Sequence, residues 1–230
     1  NKKVLVRCDF NVPFGLRGEI LHDFKIKQTL PTIEYLIKAG AGGITLISHL
    51  ARKFSLEPVA ERLEELLGRE VKFVEPGYIT LLENLRFHKE EEENDDNFAR
   101  ELAKLGDIYI NDAFAACHRA HASIVGIPKF LPSGTGLLLE KEIKTLGQLL
   151  ENPLKPLVAI IGGAKVETKV KLIGKLLEIS DLVLIGGLLN KEVKEKNIRF
   201  KEREKIIGAG EGLDISEADL KIFKEKIAQA

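Results

Sequence analysis

The stretch Val4-Leu5-Val6-Arg7-Cys8-Asp9-Phe10-Asn11-Val12-Pro13 reads as a β-strand, Val4 to Phe10, that gives way to polar residues and a proline. Outward from it, short β-branched runs alternate with helical patterns, which argues for βαβ units and a mostly parallel sheet. A helix is expected from about Phe24 to Lys38, a strand over Gly43 to Ser48 and a helix over Leu56 to Leu67. Strand-like pieces follow at Val71 to Val74 and Ile79 to Leu82, then a helix from Asp96 to Leu105 and a strand at Asp107 to Ile110. The acidic run Glu90 to Asp96 reads as a solvated loop and helix start with no chemistry of its own.

After Pro132-Ser133-Gly134 comes a long helix, about Leu137 to Leu150, closed by Asn152-Pro153. An α/β pattern then restarts: strand Leu157 to Ile161, helix from about Lys165 to Leu177, strand Leu182 to Ile185. The expected fold is therefore α/β, with two Rossmann-like lobes on parallel sheets joined by a long helix. Residues 1–134 form the first lobe, 135–152 the connecting helix and 153–230 a second lobe that is incomplete in this chain.

Composition narrows the function classes. The 35 basic and 35 acidic residues cancel, so no global field recruits nucleic acid or a membrane surface, and an anion must be bound by local clusters of Lys and Arg. No apolar run is long enough to span a bilayer, and no signal-peptide pattern opens the chain. Cys8 and Cys117 lack metal-ligand spacing and read as two reduced thiols of a cytoplasmic protein. The sequence has no methionine, although several are expected at 230 residues, which suggests that residues of the natural protein are missing from it.

In parallel sheets, ligands bind beyond the carboxyl ends of the strands, so the polar residues placed there matter most. Asp9, Asn11 and Pro13 follow the first strand, and His49 and Arg52 the second. Arg86 follows the strand at Leu82, and Asn111, Asp112, His118, Arg119 and His121 follow the strand at Ile110. Such a set suits a small polyanion, because guanidinium forks pair with carboxylate or phosphate while Asn or Asp orients a hydroxyl. One arginine alone could equally cap a helix or pair with a surface acid; the recurrence at four strand ends favours the ligand.

In the second lobe, Ile161-Gly162-Gly163-Ala164-Lys165-Val166-Glu167-Thr168-Lys169 runs from a strand through two glycines into an expected helix. Lys165 and Lys169 would then lie one turn apart near its N-terminus, where amides and ammonium groups favour phosphate. The alternative is tight strand–helix packing. The spacing is neither a Walker A loop nor a dinucleotide-binding GxGxxG, which weighs against a nicotinamide-dependent oxidoreductase. Gly186-Gly187 would supply a second side-chain-free wall for a base or ribose.

Six of these stretches, in order, resemble the phosphoglycerate kinase family: Arg7 to Pro13, Ser48-His49-Leu50, Glu83 to Phe87, Asn111 to Phe114, His118 to Ser123, and Gly162 to Lys165. Glu140-Lys141-Glu142 also fits, and Gly212-Leu213-Asp214-Ile215 fits more weakly. The resemblance implies two lobes that close like a hinge, with the acid substrate on the first and the Mg-nucleotide on the second. It implies reversible phosphoryl transfer between 1,3-bisphosphoglycerate and MgADP, giving 3-phosphoglycerate and MgATP, by direct transfer in a monomer. Carried over residue by residue, Asp9, Phe10, Asn11, Lys25, His49, Leu50, Arg52, Arg86 and Arg119 are the expected acid-substrate residues. Gly162, Gly163, Ala164, Lys165, Lys169, Gly186 and Gly187 are the expected nucleotide residues, and Lys25, Lys169 and Arg119 the expected catalytic cations. Mg2+ is expected to enter with ADP or ATP, without a protein metal site.

The sequence departs from the family in places. Lys25 stands where the family has a catalytic arginine, keeping the charge without the planar fork. Ala51 and Ala115 replace glycines, Lys53 replaces a proline, the segment from Ala51 to Ser55 is short, and the family's later WNGP and GGGDT motifs are absent. Lys25 and Ala115 raise the alternative of a catalytically impaired homologue that keeps ligand binding.

Overall fold

The structure, a computed structural model, describes every residue except Ala164, Glu211, Leu213, Asp214 and Ala230, and the side chain of Arg203. The chain divides into two units, residues 1–145 and 146–230.

The first unit carries β1 (Lys3–Arg7), α1 (Phe24–Lys38), β2 (Gly43–Ile47), α2 (Glu57–Leu67), β3 (Lys72–Phe73) and β4 (Ile79–Leu81). It continues with α3 (Lys89–Glu93), α4 (Asp96–Ala103), β5 (Ile108–Asn111) and β6 (Ser133–Thr135), and the division between units falls within α5 (Leu137–Glu151). The six strands form one parallel sheet in the order β3-β4-β2-β1-β5-β6. β1 is central: Leu5 lies opposite Thr45 of β2 and Tyr109 of β5. The strand order changes direction beside β1, and the crevice beyond its carboxyl end is where such a sheet accepts a ligand.

Alternation along β1 builds two cores. Val4 and Val6 face α1 and α2 among Ile26, Ile33, Val59 and Leu63, while Leu5 faces the other side with Ile47, Leu102, Tyr109 and Ile127. Each fully buried aliphatic side chain contributes about 1.5–3 kcal/mol, so both faces of this strand are committed to packing. Helix ends are secured by identifiable groups. Asp95 accepts from the Phe98 amide at the start of α4, and Gly68 closes α2 in the left-handed region at φ 59°. Asp112, just past β5, caps α5 from outside it, its Oδ1 accepting from the amides of Leu138 (2.9 Å) and Leu139 (3.1 Å).

The second unit has β7 (Val158–Ile161), α6 (Val170–Ile179), β8 (Leu182–Gly186), α7 (Gly187–Glu195), β9 (Ile206–Ala209) and α8 (Glu217–Gln229). Its three strands are parallel in the order β7-β8-β9. Ile161, Ile173, Leu177, Val183 and Ile185 pack one side of this sheet, and Leu184, Ala209 and Phe223 the other.

Four expectations need correction. The first strand ends at Arg7, because beyond it the Phe10 amide turns to Ser48 Oγ (2.9 Å) and leaves the ladder. The acidic run is not all solvated: α3 forms there and Glu91 is fully buried. The helix expected from Lys165 begins at Val170, preceded by a turn in which the amides of Lys169 and Val170 both donate to the Val166 carbonyl. The Val166 amide is itself held by Glu192 Oε2 at 2.7 Å. The break at Pro132 to Gly134 contains β6, a strand without apolar residues that pairs through its backbone with β5.

Candidate functional site

In the first unit the cations predicted from sequence gather at one sheet edge. Lys25, in the first turn of α1, reaches Asp9 beyond β1, with Nζ 2.8 Å from Oδ2. A cation at a helix N-terminus opposes the macrodipole, and the Asp9 carboxylate offsets that cost. Asp9 Oδ1 also accepts from the Asn11 amide at 3.1 Å, which fixes the turn and leaves the Asn11 side chain exposed.

His49 follows β2 and is buried beside Arg7, whose Nη2 lies 2.9 Å from its Nδ1. Burial first, then the charge of Arg7, pulls its pKa down to about 3, so the ring is neutral at physiological pH. Arg86 follows β4 as half-buried guanidinium. Burial and then the nearby Arg119 charge lower its pKa, its Nε has no hydrogen-bond partner, and Glu92 lies within ion-pair distance at 3.4 Å. Arg52 pairs with the other oxygen of Glu92, and its hydrogen bond holds that carboxyl below its usual range. Arg119 contacts the His118 ring, Nε to Nε2 at 3.2 Å, and among the described residues it forms no ion pair with an acid. Arg86 and Arg119 thus press like charges together with one acid between several cations, an arrangement that an incoming anion would relieve.

Asn84 holds this edge in shape. Its Oδ1 accepts from the amides of Leu50 (3.0 Å) and Arg86 (3.1 Å), and its Nδ2 donates to the carbonyls of Ala51 (3.2 Å) and Phe54 (3.0 Å). One buried amide therefore ties the loop carrying His49 to the turn carrying Arg86. Phe10 and Leu50, expected against the ligand, have their side chains in the core, and their amides are occupied by Ser48 and Asn84. They support the edge from beneath.

Sequence reasoning missed Arg7, Asn84, Glu91 and Ser123 as working parts. An arginine inside the apolar run Val4-Leu5-Val6 was a usable signal, since a buried guanidinium demands partners. Of the cysteines, Cys8 is buried, which pushes its thiol well above the usual value, whereas Cys117 is exposed next to Asn111 Nδ2 at 3.4 Å.

In the second unit, Gly162, Gly163, Gly186 and Gly187 meet at the carboxyl ends of β7 and β8. With Ile215 and Phe223 they line an apolar cavity of about 430 Å³. Gly163 sits at φ 129°, which L side chains rarely adopt, and the Lys169 ammonium lies 3.1 Å from where a Cβ would stand there. Lys169 therefore crosses the glycine turn at the head of α6, whereas Lys165 lies in the preceding turn and the two do not share a helical face. Ala164, Leu213 and Asp214 lie outside the described residues. Among the described residues no helix is long and apolar enough to cross a membrane.

A basic strand-end cluster in one parallel α/β unit and a glycine-walled cavity with a lysine over it in another place the chain among parallel α/β proteins whose polar groups gather past the carboxyl ends of the strands. Residues 1–196 match the family profile described as phosphoglycerate kinase, and the chain belongs to that family. Relatives named phosphoglycerate kinase include one from Borrelia garinii subsp. bavariensis, 50% identical over 208 residues, covering 81% of this chain and 52% of the relative. Another, from Desulforudis audaxviator, is 49% identical over 208 residues, covering 81% of this chain and 53% of the relative. Among solved structures, the chain is similar to phosphoglycerate kinase from Pyrococcus horikoshii OT3, with a TM-score of 0.77 and 31% identity, over 100% of this chain and 60% of that one. It is also similar to the enzyme from Coxiella burnetii, with a TM-score of 0.71 and 36% identity, over 100% of this chain and 61% of that one. The chain spans about half the length of the curated relatives it matches.

Proposed function

We propose that this chain belongs to an enzyme that moves a phosphoryl group reversibly between 1,3-bisphosphoglycerate and MgADP. The observation that carries the reading is the cluster of Lys25, His49, Arg86 and Arg119 at the carboxyl edge of the first sheet, where Arg86 and Arg119 repel each other. There Asp9 and Asn11 would orient the glycerate hydroxyl, and His49, Arg52, Arg86 and Arg119 would surround the phosphate and acyl ends. Gly162, Gly163, Gly186 and Gly187 would receive the nucleotide, with Lys165 and Lys169 near its phosphates.

Chemistry of this kind needs positioning and charge stabilisation of a loose transition state, and no side chain has to become a covalent nucleophile. Among the described residues no group of three or more His, Cys, Asp or Glu is placed to hold a metal ion. In this reading a magnesium ion would arrive on the nucleotide phosphates, where it would neutralise charge. The protein acts as a cytoplasmic monomer in this reading.

Calorimetric titration of the chain with 3-phosphoglycerate and, separately, with MgADP tests the proposal. Saturable 1:1 binding of both ligands is expected. Absence of 3-phosphoglycerate binding would overturn it.

A further inference from the structure

Behind the basic edge runs a buried chain of polar groups. Glu91 on α3 is fully buried, and its Oε2 accepts from the Ser123 amide at 2.9 Å while its Oε1 accepts from the Ser123 hydroxyl at 2.6 Å. That hydroxyl in turn accepts from Arg7 Nε at 2.7 Å, and Arg7 Nη2 meets His49 Nδ1 at 2.9 Å. Arg7 Nη1 donates to the Cys8 carbonyl, and the Ser123 carbonyl accepts from the Tyr109 hydroxyl. Ser123 sits in a single π-turn, Ala122–Gly126, which aims its amide and hydroxyl at the same carboxylate. Glu91, Ser123, Arg7 and His49 come from α3, the π-turn, β1 and the exit of β2, so the arrangement is a product of the fold and not of local sequence.

The direction of donation along this chain is forced. A guanidinium has five N–H donors and no acceptor, so His49 Nδ1 must accept from Arg7. In a neutral imidazole the hydrogen then resides on Nε2, the nitrogen left to meet a ligand. Arg7 can hold this orientation only if its own Nε is engaged, and Ser123 can accept there because its hydrogen is committed to Glu91. The buried guanidinium has its opposite charge in Glu91, one hydroxyl away, which meets the requirement that a buried charge be compensated.

We propose that Glu91 and Ser123 are positioning residues that act through Arg7 to fix His49 as the Nε2–H tautomer, a rigid neutral donor for the bound anion. This rests on the proposed 3-phosphoglycerate site. A charge-neutral donor among arginines adds direction without adding to their mutual repulsion. The groups facing His49 are Arg7, Asp9, Arg86 and Arg119, of which only Asp9 favours a protonated ring.

The test is long-range proton–nitrogen NMR of the nitrogen-15-labelled chain at pH 7, together with 3-phosphoglycerate titration. In the natural protein His49 should show an unprotonated Nδ1 and a protonated Nε2; the opposite tautomer, or a doubly protonated ring, overturns the inference without any variant being needed. Ser123→Ala should give mixed tautomers and about tenfold weaker 3-phosphoglycerate binding, and Ser123→Thr, which keeps the hydroxyl, should restore both. A Ser123→Ala protein with the native tautomer and native affinity also overturns it. If the natural chain shows the expected tautomer but binds no 3-phosphoglycerate, the functional reading fails while the Glu91–Ser123–Arg7 arrangement stands on its own spectrum.

Discussion

Replacing Asn84 by Ala removes one side chain and four hydrogen bonds at once, to the amides of Leu50 and Arg86 and the carbonyls of Ala51 and Phe54, and among the described residues Ala51 alone of these groups keeps another partner, the Phe54 amide. Each such hydrogen bond contributes a net 0.5–1.5 kcal/mol, so the four together predict a loss of about 2–6 kcal/mol. For chains of this size about 2–4 °C of melting temperature is lost per kcal/mol, which places the shift between roughly 4 and 24 °C. The assay pairs calorimetric melting with native-state hydrogen exchange. The Leu50 and Arg86 amides should lose protection more than those of β1, because the edge loosens before the sheet does. Affinity for 3-phosphoglycerate should fall with them, since His49 and Arg86 no longer share a brace. Asn84→Asp keeps the two acceptor contacts but turns an oxygen toward two carbonyls, so it should recover only part of the loss. If Asn84→Ala melts within about 2 °C of the natural protein and both amides stay protected, the bracing role is wrong.

Arg119→Ala should weaken 3-phosphoglycerate binding by about 1.5–3 kcal/mol, the range for hydrogen bonds to charged groups, and an unchanged affinity in titration would return Arg119 to an ordinary surface role. Lys169→Ala should weaken MgADP binding and leave 3-phosphoglycerate binding intact; a matching loss of both would show that the two ligands are assigned to the wrong units. His49 is depressed to about 3 when folded but titrates near 6.5 when unfolded, so the unfolded chain binds the extra proton and stability falls as pH drops from about 6.5 toward 3. His49→Gln should flatten that slope by up to about 1.4 kcal/mol per pH unit between pH 4 and 6, and equal slopes in urea melts of the two proteins would contradict it.

Much of the fold was legible because β1, β2, β5, β7 and β8 are apolar runs bounded by polar residues, and residues past parallel strand ends are where ligands are met. His49, Arg86 and Arg119 were found that way, whereas Lys25 came only through the family resemblance. Glu91 was not, because it is one acid among several on α3 and only the approach of Ser123 singles it out for burial. Asn84 lies in a stretch that resembles the family, but its four partners are divided between the loop after β2 and the turn at Arg86, and no local pattern announces them. β6 escaped notice because Ser133-Gly134-Thr135 has no apolar signal and is recruited through its backbone alone. The start of α6 was misjudged because the Val166 amide is claimed by Glu192, a residue from the next helix of the chain.

The contrast between the two thiols has a practical side. Cys8 is sealed in the core with its thiol pushed up, while Cys117 is exposed two positions before Arg119. Thiolate is the form that reacts with maleimides, so labelling falls on Cys117. This chain thus accepts a single fluorophore at the rim of the cationic edge without any engineered cysteine. Its emission would read out anion occupancy in real time, giving association and dissociation rates that equilibrium titration cannot supply.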